Sequence, residues 1–486
     1  MRFEKPLTNI EKARAIADIY SGRVITETLI RCNDFYEGTQ EAYIPKIGTE
    51  TNIAYNKREK LWINFTRPII EKRASVYESR ADRKIEGIGK DSQEMFEDTW
   101  ERSHSVFQEI DLYSELSSYC CVYVYYDQIK KEIKYTPYKS QYVFPYVDET
   151  TGLLESLCLR WITEIKKTND MVETIVMEQV WDKEQWVTYE DGVKKGEGIN
   201  IYGELPFVFF YADPRTKAAS QYFNNPPAYD VVDQNYHINS LLSDLKYVCQ
   251  FQSFGQLVVT VNKSDKAGNP LDENNNVVRT DNVKVGLSNV IILPEGGKAE
   301  FIHPDAAIGK LMEVIAFVID NLFTTSSVPK VTIAPSPTMA SGVSLVVQWY
   351  PLVGVLNKKR SSYRLSEEEL VDMTLLVHDR SNEKSGEPSD YEFTLNFDEG
   401  TIPKSAEEQM NVDRFELEIG IASPVEILRR KDPDLSEEEA IEQLKQNEEW
   451  NREILAVRSS LSTNENDALD KKLKDKTNQP PIIKKK

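Results

Sequence analysis

The sequence has few residues able to hold a metal or a cross-link. Its five cysteines, Cys32, Cys120, Cys121, Cys158 and Cys249, form no Cys-x-x-Cys pair, and its four histidines, His104, His237, His303 and His378, are far apart. Neither a zinc site nor a disulfide framework is expected. Long apolar runs are missing as well. Nothing approaches the ~18 uncharged residues of a membrane span, and Met1 to Lys12 carries no apolar segment of the signal-peptide kind. This predicts a soluble chain made in a cytoplasm, with no membrane partner. Positive charge is in deficit: 59 Lys and Arg stand against 79 Asp and Glu, a formal net of −20. That balance disfavours a protein built to grip phosphates, although a wall past which a polyanion must slide gains from weak, unspecific contact. Enzyme motifs are lacking too. Gly87-Ile88-Gly89-Lys90-Asp91 and Gly296-Gly297-Lys298-Ala299 both lack the upstream glycine and the hydroxyl of a phosphate-binding loop, and no H-E-x-x-H or G-x-S-x-G occurs. The acidic runs Glu367-Glu368-Glu369 and Glu437-Glu438-Glu439 read as helix faces. No catalytic residue, cofactor or metal is expected.

With 486 residues and 40% hydrophobic content, the chain is long enough for several lobes. Apolar spacing from Leu7 to Arg31 predicts one amphipathic helix closing near Gly38, and a second helix is expected over Trp62 to Arg80, with Pro68 near its start. Residues 117–211 change to short aromatic and β-branched runs at 121–126, 142–147, 172–181 and 206–211, which read as strands. A helix of about six turns follows from Pro226, its stripe marked by Val231, Asn235, Ile238, Leu242, Leu245 and Cys249. Strand-like runs at 256–261, 277–279 and 290–293 come next, between Gly- and Asn-rich turns. The helical period resumes from Ile308 to Leu322, a Pro- and Ser-rich loop spans Thr324 to Ala340, and a long helix from Ser341 to about Arg380 is expected to kink or break at Pro351. Tyr391 to Phe397 alternates as a strand. Ser423-Pro424-Val425-Glu426 and Ser436-Glu437-Glu438-Glu439 carry capping boxes. Beyond Ser459 the chain is polar and expected to be disordered.

This order of parts, with local sequence to match, resembles the portal proteins of tailed double-stranded DNA bacteriophages. Similar to the family are Asp34-Phe35-Tyr36-Glu37-Gly38, the stretch from Asn64 to Ala74, Asn235 to Asp244, Ser341-Gly342-Val343-Ser344-Leu345 and Ser423 to Leu444. The resemblance implies an α+β fold: an α+β wing (1–228), a stem helix (229–253), a β-rich clip (254–304), a second stem helix (305–325), a tunnel loop (326–340), a long kinked helix (341–382), a wing return strand (383–409), a helical crown (410–458) and a tail (459–486). It also implies a non-enzymatic ring of about twelve copies at one capsid vertex of the virion, assembled in the host cytoplasm. Weak, non-specific contact with double-stranded DNA is implied, as are a terminase packaging motor, a head-tail adaptor, and major capsid and scaffolding proteins as partners. A closed ring requires two unlike faces on each subunit.

Within this frame Ser326, Ser327, Val328, Pro329, Lys330, Ser336, Thr338 and Ala340 would line the tunnel loop, and Lys263, Asp265, Asn275 and Arg279 would serve clip docking. Lys358, Lys359, Arg360 and Arg364 are candidates for a basic channel ring, although a charge run on a helix is ordinarily its wet face. The rival readings are a neck or scaffold ring without a DNA-gating role, and a nuclease or terminase component using carboxylates with Mg²⁺. The basic end Lys484-Lys485-Lys486 and the scarcity of charge in the tunnel loop depart from the family pattern.

Overall fold

The structure, a computed structural model, describes residues 7–452 other than 22–23, 47–50, 149, 167–171, 214–223, 254–255, 261–297, 303–307, 331–341, 383–389, 398–405, 419, 421, 432–434, 438, 448 and 451. It divides into two units, Met1–Gly400 and Thr401–Lys486.

The first unit opens with two helices where apolar spacing predicts one: α1 (Asn9–Tyr20) and α2 (Val24–Glu37). The sequence places Ser21-Gly22, two weak helix formers, between them. A capping box starts α1, with the Thr8 amide donating to Glu11 Oε2 at 2.8 Å and the Glu11 amide donating to Thr8 Oγ1 at 3.3 Å. Gly38 closes α2 at φ 91°, a backbone that residues with a Cβ avoid. After α3 (Asn52–Lys57) comes α4 (Thr66–Arg73), shorter at both ends than the helix expected over 62–80. Residues 81–116, which the sequence pattern left unassigned, form β1 (Asp82–Glu86), α5 (Lys90–Arg102) and α6 (His104–Leu116).

Eight strands follow: β2 (Cys120–Asp127), β3 (Glu132–Lys139), β4 (Val143–Val147), β5 (Leu154–Lys166), β6 (Val172–Asp182), β7 (Gln185–Glu190), β8 (Val193–Ile199) and β9 (Phe207–Phe210). The four expected runs are β2, β4, β6 and β9; β3, β5, β7 and β8 are additional to them. The sheets are antiparallel, one ordered β4-β5-β6-β7-β8 and one β3-β2-β9. Helix α1 lays Ile10, Ala13, Ile16 and Ala17 on Phe144, Cys158, Val180 and Val187 of the larger sheet. Strand β2 is buried on both faces. Cys120, Val122 and Val124 join Phe107, Ile110 and Tyr363 on one side, and Cys121 joins Leu157, Trp181 and Phe207 on the other. That double burial is why the run reads as nearly unbroken apolar sequence.

Next come α7 (Tyr229–Ser253), β10 (Gln256–Thr260), β11 (Lys298–Ile302), α8 (Ile308–Ser326), α9 (Gly342–Ser381) and β12 (Glu392–Asn396). β10 and β11 pair antiparallel, from Gln256↔Ile302 to Thr260↔Lys298, and close residues 261–297 at their base. The strand-like runs expected at 277–279 and 290–293 lie outside the described residues. Helix α9 continues through Pro351 instead of breaking. The missing N–H leaves the carbonyl of Val347 without its helical partner, on an exposed turn where water can take that role. β12 returns to pair with β1, from Asp82↔Asn396 to Glu86↔Glu392.

The second unit contains α10 (Ala406–Glu418) and α11 (Pro424–Lys431). Both expected capping boxes are present: Glu426 N donates to Ser423 Oγ at 3.2 Å, and Glu439 N to Ser436 Oγ at 3.3 Å. The tail expected to be disordered lies outside the described residues.

Candidate functional site

The long helix α9 presents Lys359, Tyr363 and Glu367 at four-residue intervals on one face, turned into the core. Lys359 Nζ lies 2.6 Å from Asp111 Oδ1 and 3.2 Å from Glu115 Oε2, both on α6, and donates to the Arg73 carbonyl at the end of α4 at 2.7 Å. Arg73 Nε meets Glu115 Oε1 at 2.6 Å as an ion pair whose angle falls short of an aligned hydrogen bond. Tyr363 OH donates to Asp111 Oδ1 at 2.8 Å and also meets Ser114 Oγ, while Asp111 Oδ2 accepts from Val76 N at 2.7 Å. One turn on, Glu367 takes a bidentate pair from Arg83, at 2.7 and 2.6 Å, and the Tyr77 hydroxyl at 2.8 Å. Tyr77 and Tyr363 stack between the two clusters, 5.7 Å apart and 6° from parallel.

This geometry corrects half of the expected basic ring. Lys359 is 1% exposed and neutralises two buried carboxylates; Arg360 is 9% exposed and donates to Asn357 Oδ1 at 2.8 Å. Lys359 ties α9 to α4 and α6, and Arg360 is buried against its own helix, so neither is a channel wall. Lys358 and Arg364 are exposed, but six helical positions set them about 120° apart around α9. The i, i+4, i+8 spacing of Lys359, Tyr363 and Glu367, in line with buried Leu352, Leu356 and Leu370, was the signal in the sequence that a charged run belonged to the core.

A second polar ladder runs along α7. Asn235, Asn239 and Ser243, all buried, hold the extended stretch 61–65. Ser243 Oγ accepts from Leu61 N at 3.1 Å and donates to Leu61 O at 2.9 Å; Asn239 Oδ1 accepts from Ile63 N at 2.9 Å. Asn235 Oδ1 accepts from Phe65 N, Thr66 N and Thr66 Oγ1 at 3.0, 3.0 and 2.9 Å, and its Nδ2 donates to Ile63 O at 2.9 Å. The match is one of periods: four helical residues rise ~6 Å and two extended residues ~6.7 Å.

The expected tunnel loop is only partly described. Ser326 is the last residue of α8, its carbonyl accepting from Arg73 Nη1 at 3.3 Å. Ser327 turns the chain at φ 61°. Val328 and Pro329 are buried, so neither is free to line a channel, because packing in the core holds them. Lys330 is exposed and paired with Asp320 at 2.6 Å, a surface contact worth little. Ser336, Thr338 and Ala340 lie outside the described residues, as do all four clip docking candidates, Lys263, Asp265, Asn275 and Arg279. Among the described residues there is no group of His, Cys, Asp or Glu able to hold a metal ion, and no helix is long and apolar enough to cross a membrane.

A family model for phage portal proteins of the SPP1 Gp6-like type matches residues 10–453. The chain belongs to that family. Portal proteins of this kind are structural, not enzymatic, which removes the nuclease reading, and membership implies an oligomeric ring within a virion. Among solved structures, the chain is similar to a chain of the virion of a native gene transfer agent particle, with a TM-score of 0.40 and 10% identity, covering 85% of this portal chain and 94% of that one. No curated protein matches it.

Proposed function

We propose that this chain is the subunit of a portal ring, about twelve copies at one capsid vertex, through which double-stranded DNA is packaged and later ejected. The observation that carries the reading is the family match over nearly the whole chain, from residue 10 to 453. The α7–α8 hairpin supports it: α8 has an apolar sequence, yet Met312, Val314 and Phe317 face solvent in the single subunit, the character of a surface awaiting a partner. The net charge of −20 suits a wall that lets a polyanion slide. In this reading α7 and α8 are the stem, and residues 254–304, with Lys263, Asp265, Asn275 and Arg279, dock the terminase motor and later the head-tail adaptor. Lys358 and Arg364 are the remaining basic candidates for the channel, and the acceptors on the capsid side are the major capsid and scaffolding proteins. Cryo-electron microscopy of the purified protein is expected to show a closed ring with an axial hole. Protein that stays monomeric at micromolar concentration at every salt concentration overturns the proposal.

Within residues 326–340, the positions other than the buried Ser326, Val328 and Pro329 are the proposed constriction. Ser327 holds a positive φ, so tryptophan there would add backbone strain to any effect on the aperture. Thr338→Trp is the cleaner probe. It is expected to leave ring assembly unchanged and to stall packaging or leak packaged DNA, since a bulky group repeated around a ring narrows the hole once per subunit. Particles carrying Thr338→Trp that fill and retain DNA normally place the constriction elsewhere.

A further inference from the structure

The ladder on α7 has a consequence for assembly. It holds Leu61, Trp62 and Ile63, three consecutive large apolar residues, in an extended lip, and each is more than a third exposed. Residues 61, 63 and 65 use their backbone groups on α7. The Trp62 ring passes over Gly38 and the Asn64 side chain donates to Tyr36 O, so the end of α2 supports the lip from one face. A run of three exposed apolar residues in a rigid extended segment is unfavourable in an isolated subunit and needs a cover.

Another uncovered apolar surface of this unit lies at the same level. Gln234 Nε2 donates to Thr325 Oγ1 at 2.9 Å, which sets the antiparallel register of α7 and α8. Eight residues along α7 from Asn235, Ser243 holds Leu61; eight residues back along α8 from Thr325 lies Phe317, 65% exposed, with Val314 one turn back on the same face. Both patches are therefore ~12 Å along the hairpin from the same bond. They face different ways. Ile238 and Leu242, which share a core cluster with Val318, Ile319 and Leu322 of α8, are about 100° round α7 from Asn239 and Ser243. Charge differs as well: residues 57–73 hold six Lys and Arg against two Glu, an excess that α8, with Glu313 and Asp320 against Lys310, does not share. Two unlike apolar patches, one in a basic stretch and one not, level with each other on different sides of one hairpin, are what rotation about a common axis brings together.

We propose that the outer face of α8 in one subunit, centred on Phe317, packs on the Leu61–Ile63 lip of its neighbour. This rests on the ring reading, and the test separates the two. In a Cys249→Ser background, which removes the cysteine that is not fully buried, Trp62→Cys and Phe317→Cys subunits carrying different tags are co-expressed and mildly oxidised. A mixed Trp62→Cys/Phe317→Cys disulfide in ring-sized species is expected, with neither variant cross-linking to itself. Self-cross-linked Trp62→Cys dimers, or intact rings free of the mixed disulfide, overturn the contact and leave the ring standing; the absence of any ring overturns both. As a second measurement, Phe317→Glu is expected to raise the protein concentration needed for assembly by about tenfold or more, the loss of one well-buried aromatic per interface. Because the side chain is exposed in the single subunit, subunit unfolding should be unchanged. Assembly at the wild-type concentration overturns the proposal.

Discussion

Lys359→Met should destabilise the first unit by about 3–5 kcal/mol at neutral pH, the usual result of removing one partner from a buried ionic cluster. The ammonium is 1% exposed and lies within 3.2 Å of both Asp111 and Glu115. Methionine fills much of the same volume but leaves two carboxylates facing each other with only Arg73 to compensate. Burial pushes the Glu115 carboxyl up, but Arg73 and Lys359 outweigh it and hold it below the ordinary carboxylate value. Burial likewise pulls Lys359 down, and Asp111 with Glu115 more than restores it, leaving it above the ordinary lysine value. The signs follow. A depressed carboxyl contributes stability at neutral pH that is lost as pH falls through its folded value; a raised lysine contributes stability that is lost as pH rises through its own. The gap between wild type and Lys359→Met should be widest between about pH 5 and 10 and narrow outside that window. Adding Asp111→Asn to Lys359→Met should recover part of the loss, because the double change removes both charges. Chemical denaturation measures all three. Lys359→Met protein that unfolds like wild type but mishandles DNA would return this lysine to the channel wall.

The same residue shows where sequence reading stops. Elements whose burial is uniform along one face were legible: α7, α8, α9 and the apolar strands β2, β4, β6 and β9 announce themselves by period. Charged segments that bury only a few side chains were not. Helix α5 buries Phe96 and Thr99 beneath an acidic surface, and β3 reads Glu-Ile-Lys-Tyr-Thr-Pro-Tyr-Lys, a polar run that β2 completes across the sheet. Lys359 belongs with these. A lysine beside another lysine and an arginine looks like a wet face until α6, some 250 residues earlier, supplies its two acids. Val328 is the converse, a residue in a loop-like sequence that the core claims. The start of α4 was misplaced for a related reason: Asn64 caps the Arg67 amide locally, but the Phe65 and Thr66 amides are held by Asn235, about 170 residues further along the chain, and no local pattern carries that second contact.

That remote cap gives the second large effect. Asn235→Ala should cost about 2–4 kcal/mol, because it strands the amides of Phe65 and Thr66, the Thr66 hydroxyl and the Ile63 carbonyl together. Thr66 is fully buried, so water cannot replace its partner without opening α7 from α4. Phe65, the residue before α4, offers no side-chain cap of its own; Asn64 Oδ1 takes the Arg67 amide, and the amides of Phe65 and Thr66 depend on Asn235 Oδ1. Asn235→Asp separates the two functions of the side chain. The carboxylate still accepts from the three donors and, as an anion, suits a helix N-terminus; what it loses is the Nδ2 bond to Ile63 O, now replaced by an oxygen facing an oxygen. Asp should therefore be milder than Ala. Hydrogen exchange reads the difference residue by residue. In Asn235→Ala the amides of Phe65 and Thr66 should lose protection by ~10-fold or more, whereas in Asn235→Asp they should stay protected while the Leu61–Ile63 lip loosens. If both variants lose protection at Phe65 and Thr66 equally, the bond to Ile63 O, and not the cap, is what holds the start of α4 to α7.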